Sequence, residues 1–203
     1  MSKGLLDGVV VLDLTRVLAG PFCTMMLADM GANVIKIEVP KGGDDTRGYP
    51  PFRAKNLNGE RESVYFANIN RNKKGITLNL KAPEGKEIFK ELVKKADIVV
   101  ENYRPGVMDK LGLGYDVLKE INPRIIYAAV SGFGCYGPYH LRPGYDILAQ
   151  AMGGMMSITG SKGGEPTRAG SALGDILGGL HVTIGILAAV NARTITGKGQ
   201  RVD

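Results

Sequence analysis

Tryptophan is absent from this 203-residue chain, and cysteine and histidine occur twice each. Cys23 and Cys135 stand far apart, neither belongs to a CxxC pair, and neither has companions at metal-ligand spacing, which removes a disulfide framework and a metal site from consideration. Both are expected to be small core or loop residues. Aromatic residues make up only 6%, and no block of five or more like charges occurs. Without aromatics interleaved among Arg and Lys, a nucleic-acid surface has little support, although a net charge of +6 favours anionic partners of some kind. No apolar run reaches membrane-spanning length. The first residues, MSKGLLDGVVVLDL, lack the basic start and small-residue cleavage site of a signal peptide. The expectation is a cytoplasmic protein with no membrane partner.

What is present is a globular composition, 44% hydrophobic and 23% charged, with enough length for one sizeable core. Residues 8–14 (GVVVLDL) form a short β-branched run. Residues 21–31 (PFCTMMLADMG) read as a helix with proline entering and glycine leaving, and residues 33–38 (NVIKIE) as a second strand, which together make a βαβ unit. The alternation continues with a strand over 75–80, a helix from Pro83, a strand over 97–102, two short helical pieces and a strand over 124–130. Such alternation predicts an α/β fold, a Rossmann-like, mostly parallel sheet with helices on both faces. Residues 40–62 show no periodicity and many Gly, Pro, Asp and Arg residues, which predicts one long loop.

Glu38, closing the second strand, invites a dinucleotide reading in which it holds a ribose hydroxyl. The first loop, TRVLAGPF, argues against it. Gly20 stands alone where the fingerprint needs several glycines, so no nicotinamide or flavin and no permanently bound cofactor is expected. The helix start still offers free backbone N–H groups to an anion.

The stretch SALGDILGGL, residues 171–180, sets Asp175 between glycine and a long apolar run. From the residues alone, Asp before such a run reads as an N-cap for a helix over 176–193. Nearness to the positive helix end favours its ionised form by roughly 0.3–1 kcal/mol, and Gly174, Gly178 and Gly179 would let backbone and substrate approach closely.

Seven stretches in order resemble the class III coenzyme A transferases, the CaiB/BaiF family: LDLTRVLAGPFCTMMLADMGANVIKIE, GDDTRG, YFANINRNKKGITLNLKAPEGKE, ADIVVENYRPGVMDKLG, VSGFGCYGP with GYDILAQA, ALGDILGGL and TGKGQRVD. The resemblance covers almost the whole chain and implies the Rossmann-like large domain of that fold across residues 1–203. Family members are about twice this length, with a second, smaller domain, and the chain is similar to their N-terminal half. The family's homodimers interlock like chain links, an architecture that draws on both halves.

The resemblance implies that acyl-CoA and a carboxylic acid are the partners and that Asp175 is the nucleophile. It implies coenzyme A contacts at Val17, Leu18 and Ala19, at Leu78 to Lys81, at Asn102, Tyr103 and Arg104, at Lys110, and at Arg142, Tyr145 and Asp146. Lys81, Arg104, Lys110 and Arg142 would neutralise phosphates. Tyr49 and Tyr65 match positions that line the acyl site, with Tyr145 beside them. Tyr49 stands where the formyl-CoA branch has tryptophan, Leu18 where it has glutamine and Val39 where it has arginine, which makes oxalate or formate unexpected substrates. The α-methylacyl-CoA racemases resemble the same motifs but carry a histidine where this chain has Tyr145, and tyrosine, with a pKa near 10, is a poor base at neutral pH. Of the two histidines, His181 is expected to pack against neighbours. A non-catalytic CoA-binding module is the remaining reading.

Overall fold

The computed structural model describes residues 4–53, 59 and 61–203. Strand β1 (Val10–Asp13) leads into helix α1 (Ala19–Asp29) and strand β2 (Asn33–Glu38). A 3-10 turn (Asp45–Gly48), the two-residue strands β3 (Phe52–Arg53) and β4 (Glu62–Ser63), and helix α2 (Val64–Ile69) follow. Next come β5 (Lys74–Thr77), α3 (Pro83–Val93), β6 (Ile98–Glu101), α4 (Val107–Leu111), α5 (Tyr115–Ile121) and β7 (Ile126–Ala129). Helix α6 (Asp146–Met152), a second 3-10 turn (Met155–Ile158), the long helix α7 (Leu173–Thr196) and β8 (Arg201–Val202) complete the chain.

The main sheet runs β5-β2-β1-β6-β7-β8, parallel at every pairing. Because β-strand side chains alternate, each central strand feeds two cores. Val11, Ile98, Val100, Ile126 and Ala128 face one side, where Cys23 and Leu27 of α1 and Val182, Ile186 and Ala189 of α7 cover them. Leu12, Val99, Tyr127 and Ala129 face the other, against Phe89 and Val93 of α3 and Leu118 of α5. Each such fully buried aliphatic side chain contributes roughly 1.5–3 kcal/mol. The sheet is therefore covered on both faces, as the alternation predicts.

Several expectations shift in detail. Helix α1 begins two residues before Pro21, because proline is tolerated in a first turn whose N–H groups have no partner inside the helix. The expected loop over 40–62 carries a 3-10 turn capped by Asp44 and the antiparallel pair β3–β4; its residues 54–58 and 60 lie outside the described residues. Glu38 holds no free carboxylate for a ribose: its two oxygens accept Arg47 Nε at 2.9 Å and Nη2 at 2.6 Å, and Oε1 also accepts the Asp44 amide at 2.7 Å.

Helix α7 contradicts the expectation about apolar runs. Its 24 residues include a window of mean hydropathy 1.8, long and apolar enough to cross a membrane by length and composition. It is also a layer of this fold, packed on α1 so closely that a Cβ on Gly179 would lie 2.5 Å from the Ala19 carbonyl oxygen. Leu177, Leu180 and Ile184 remain exposed on its other side.

Glu101 closes β6 with its carboxylate accepting the Tyr103 amide at 2.7 Å and the Tyr127 hydroxyl at 3.0 Å. Burial pushes its carboxyl up to about 7 from an ordinary 4.5, against the pull of those two hydrogen bonds. The folded protein thus holds this proton more tightly than the unfolded chain. The resulting stability is complete below pH 4.5 and lost as pH rises through about 7. Glu101→Gln, uncharged at every pH, should exceed the wild type in stability above that midpoint by roughly 3 kcal/mol, with the gap closing on acidification. Urea unfolding across this range is the measurement, and parallel curves for the two proteins would refute the account.

Candidate active site

The strand order reverses between β1 and β6, and open α/β sheets bind ligands in the crevice at the carboxyl ends of the strands flanking such a point. Here the two loops grip each other. The Arg16 amide donates to Asn102 Oδ1 at 2.9 Å, and Asn102 Nδ2 donates to the Arg16 carbonyl at 2.7 Å. Val17 follows with φ of 69°, a conformation a β-branched residue adopts only when its surroundings impose it.

The surroundings are a buried charge network. Asp13, fully buried at the end of β1, accepts the Thr15 amide and hydroxyl through Oδ1, and the Thr24 hydroxyl and Lys73 Nζ through Oδ2. Lys36 Nζ, equally buried in β2, donates to the Thr15 carbonyl at 2.8 Å and Asp44 Oδ2 at 2.9 Å. Asp44 Oδ1 then receives the strained Val17 amide at 3.2 Å. Burial opposes the charge on Asp13, but Lys73, Lys36 and the two threonines outweigh it and hold its carboxyl below the usual range. Burial draws the Lys73 ammonium down, yet its three protons are all used, on Asp13, the Pro21 carbonyl and Asn70 Oδ1, so the charged form is the one this geometry serves. Sequence reading passed over this network. Its signal was a lone Asp and a lone Lys inside the apolar strands VVLD and NVIKIE.

Val17, Leu18 and Ala19 stand half-buried where α1 begins, and that helix start has no side-chain cap. Its first N–H groups are left for a ligand or solvent. Leu78 to Lys81 follow the carboxyl end of β5, and Asn102, Tyr103 and Arg104 that of β6. Lys110 lies on α4. Arg142 and Tyr145 belong to the excursion after β7, whose base closes where Gly132 and Gly144 meet so tightly that a Cβ on either would come within 2.4 Å of the other's Cα. Lys81, Arg104, Lys110 and Arg142 are exposed, and none has a carboxylate partner among the described residues. Arg142 lies over the Tyr139 ring, 4.1 Å from its centre.

Asp175 is not an N-cap. Helix α7 starts at Leu173, Ala172 takes the capping position without a side-chain bond, and Asp175 sits inside the first turn. Half-buried, its carboxylate accepts no hydrogen bond within the described residues. Burial, then the charge of Asp146, pushes its carboxyl upward, opposite to the pull expected from the helix end. Its charge bears in turn on Tyr65 of α2, already raised by burial. Tyr65 meets Tyr49 edge to face at 5.8 Å between ring centres, so these three expected site residues come together.

Both carboxylate oxygens of Asp146 accept hydrogen bonds within the protein, from Gln150 and from the Gly174 amide. Of the three glycines near Asp175, two serve helix packing. A Cβ on Gly174 would lie 2.8 Å from that of Ala149 in α6, Gly179 abuts α1, and only Gly178 has open space. His181 also departs from expectation: it is exposed and binds the Leu177 carbonyl of its own helix.

A model described as CoA-transferase family III matches residues 6–203. The chain belongs to that family. It is 53% identical to an acyl-CoA transferase of Fusarium pseudograminearum, over 100% of this chain and 45% of that protein. It is 50% identical to an acetyl-CoA:oxalate CoA-transferase of Acetobacter aceti, over 99% of this chain and 50% of that one. A crystal structure of a CAIB/BAIF family protein from Brucella suis superposes with a TM-score of 0.95 at 46% identity, covering 100% of this chain and 53% of that one. The family III chain therefore spans about half the length of the relatives it matches.

Removing one member of the buried network tests its hold on the first loop. Lys36→Met leaves Asp44 uncompensated and should cost about 3–5 kcal/mol, with faster hydrogen exchange at the Val17 amide. Adding Asp44→Asn should recover part of the loss. Denaturant unfolding with amide exchange measures both, and an unchanged Val17 amide in the single variant would show that the network does not hold the loop.

Proposed function

We propose that the protein transfers coenzyme A from an acyl-CoA thioester to a carboxylic acid, with Asp175 as the relay. The observation that carries this reading is the state of that carboxylate: without an ion pair or a hydrogen bond among the described residues, half-buried, and set in the first turn of a long helix beside Tyr65.

Each step balances without ATP. The Asp175 carboxylate attacks the thioester carbonyl; the C–S bond breaks and CoA leaves as thiolate, giving a mixed anhydride. The thiolate attacks the aspartyl carbonyl of that anhydride and the first acid departs as its carboxylate, leaving an aspartyl-CoA thioester. An acceptor carboxylate then attacks the aspartyl carbonyl to form a new anhydride, again releasing thiolate. Attack of that thiolate on the acceptor's acyl carbon yields the new acyl-CoA and frees Asp175. Activation stays in an acyl bond throughout, so the site must keep water out.

The four unpaired cations along the carboxyl side of the sheet suit the phosphates of CoA. β5 and β6 are three strand spacings apart, about 14 Å, so Lys81 and Arg104, on the loops that follow them, would suit an extended ligand rather than a single phosphate. A racemase would need a second base opposite Asp175. Tyr145 is 70% exposed, and both histidine rings are bound to carbonyls of nearby residues, Gly137 and Leu177.

Coenzyme A at about 100 times its dissociation constant should stabilise the chain by about 2.7 kcal/mol, with the gain shrinking as salt rises. Incubation with an acyl-CoA should add CoA covalently, and hydroxylamine should convert the adduct to a hydroxamate at Asp175. Asp175→Asn should retain the thermal shift and lose the adduct. A shift without any adduct in the wild type would favour a binding module, and an adduct surviving in Asp175→Asn would remove Asp175 from the chemistry. Because the nucleophile is the ionised form and its carboxyl is raised by burial and by Asp146, adduct formation should fall on acidification at a higher pH than an ordinary aspartate would give.

A further inference from the structure

Asp146 opens α6, and its carboxylate reaches in two directions. Oδ1 accepts the Gly174 amide at 2.8 Å, in the first turn of α7 and one residue before Asp175. Oδ2 accepts Gln150 Nε2 at 2.8 Å, one turn along its own helix. Gln150 is 1% exposed and extends the strap, its Oε1 receiving the Ala169 amide at 2.8 Å and its Nε2 also donating to the Ser171 carbonyl at 3.3 Å. The segment entering α7 and the first turn of α7 are thus tied to one face of α6. Gly174 makes the tie possible, since any Cβ there would strike Ala149.

We propose that Asp146 is a positioning residue for Asp175, fixing the first turn of α7 against α6 and setting an uncompensated negative charge beside the nucleophile. The proposal rests on the reading of Asp175 given above. Its chemical sense follows from which states carry charge. Free Asp175 is an anion and is repelled by Asp146, whereas Asp175 in an anhydride or a thioester is neutral and is not. The repulsion therefore raises the resting carboxylate relative to its acylated forms and keeps it basic, hence nucleophilic. An ion pair at the same place would do the reverse. The groups that face this carboxylate are Asp146 from α6 and Tyr65 from α2, the latter packed on Tyr49, and no cation contributes among the described residues. Burial and Asp146 are the two causes that raise Asp175.

The test needs no turnover. In the chain labelled with 13C at aspartate carboxyls, Asp146→Asn keeps an oxygen for the Gly174 amide and removes the charge, whereas Asp146→Ala removes both. The Asp175 titration midpoint should fall in both variants. Hydrogen exchange at the Gly174 amide should quicken roughly tenfold or more in the alanine variant, which loses a bond to a charged acceptor, and much less in the asparagine variant. A wild-type midpoint in Asp146→Asn, or wild-type exchange at Gly174 in Asp146→Ala, overturns the proposal. Should one variant fail to fold, the other decides alone. If Asp175 carries no acyl adduct the nucleophile reading fails, while the midpoint and the exchange rate still decide whether Asp146 positions it.

Discussion

A carboxylate without water must be neutralised by the protein, and at the end of β1 that requirement shapes the first loop. Asp13 has four donors and two lysines bearing on it. Meeting its demand draws Thr15 back, brings Lys73 in from a distant segment, and through Lys36 and Asp44 fixes the Val17 amide. The strained turn at Val17 survives because loosening it would strip partners from buried charges, each loss worth more than the roughly 1–3 kcal/mol of backbone strain.

Asp175 is the opposite case, and the contrast carries the chemistry. Both carboxylates lie on the carboxyl side of the sheet, and burial opposes ionisation in both. Lysines and threonines pull Asp13 down, whereas among the described residues the charge that bears on Asp175 is that of a second carboxylate. A fully satisfied carboxylate is inert, since attack on a carbonyl would forfeit its hydrogen bonds and ion pairs. One left unsatisfied has little to lose. Two acids pushed apart by their surroundings differ in what each is free to do, and Asp13 is the one spent on the structure.

Much of the fold was legible in the residues because its determinants are local. β2 begins and ends where its alternating run does, and α3 begins at Pro83 as its proline requires. The start of α7 was not legible: an aspartate before an apolar run reads as a cap, and only tertiary contact with α6 shows that the helix begins earlier and takes its cap from Asp146. The same limit applied to Lys73, which lies 60 residues from Asp13 and carries no pattern linking the two. Asp175, Tyr65 and Tyr49 were found through family resemblance, which compares positions rather than contacts. That route placed Asp146 among the ligand contacts without seeing that its oxygens were already taken.

Under the proposed function, the distribution of charge lets one chain favour a polyanionic ligand and still keep a reactive carboxylate. The surplus of +6 does not enter the site. The buried lysines 36 and 73 are consumed by Asp44 and Asp13, while Lys81, Arg104, Lys110 and Arg142, without carboxylate partners among the described residues, lie exposed on the loops and short helix that follow the strands. Solvent screens such exposed cations over a distance on the order of 10 Å, and none of them is among the groups that shift Asp175, so in the proposed reaction they would draw phosphates in without neutralising that carboxylate. Moving one of them next to Asp175 would stabilise its resting carboxylate and weaken the attack proposed for it. Under the proposed reaction, binding charge and reacting charge must therefore stay apart, a separation the strap from α6 to α7 would serve.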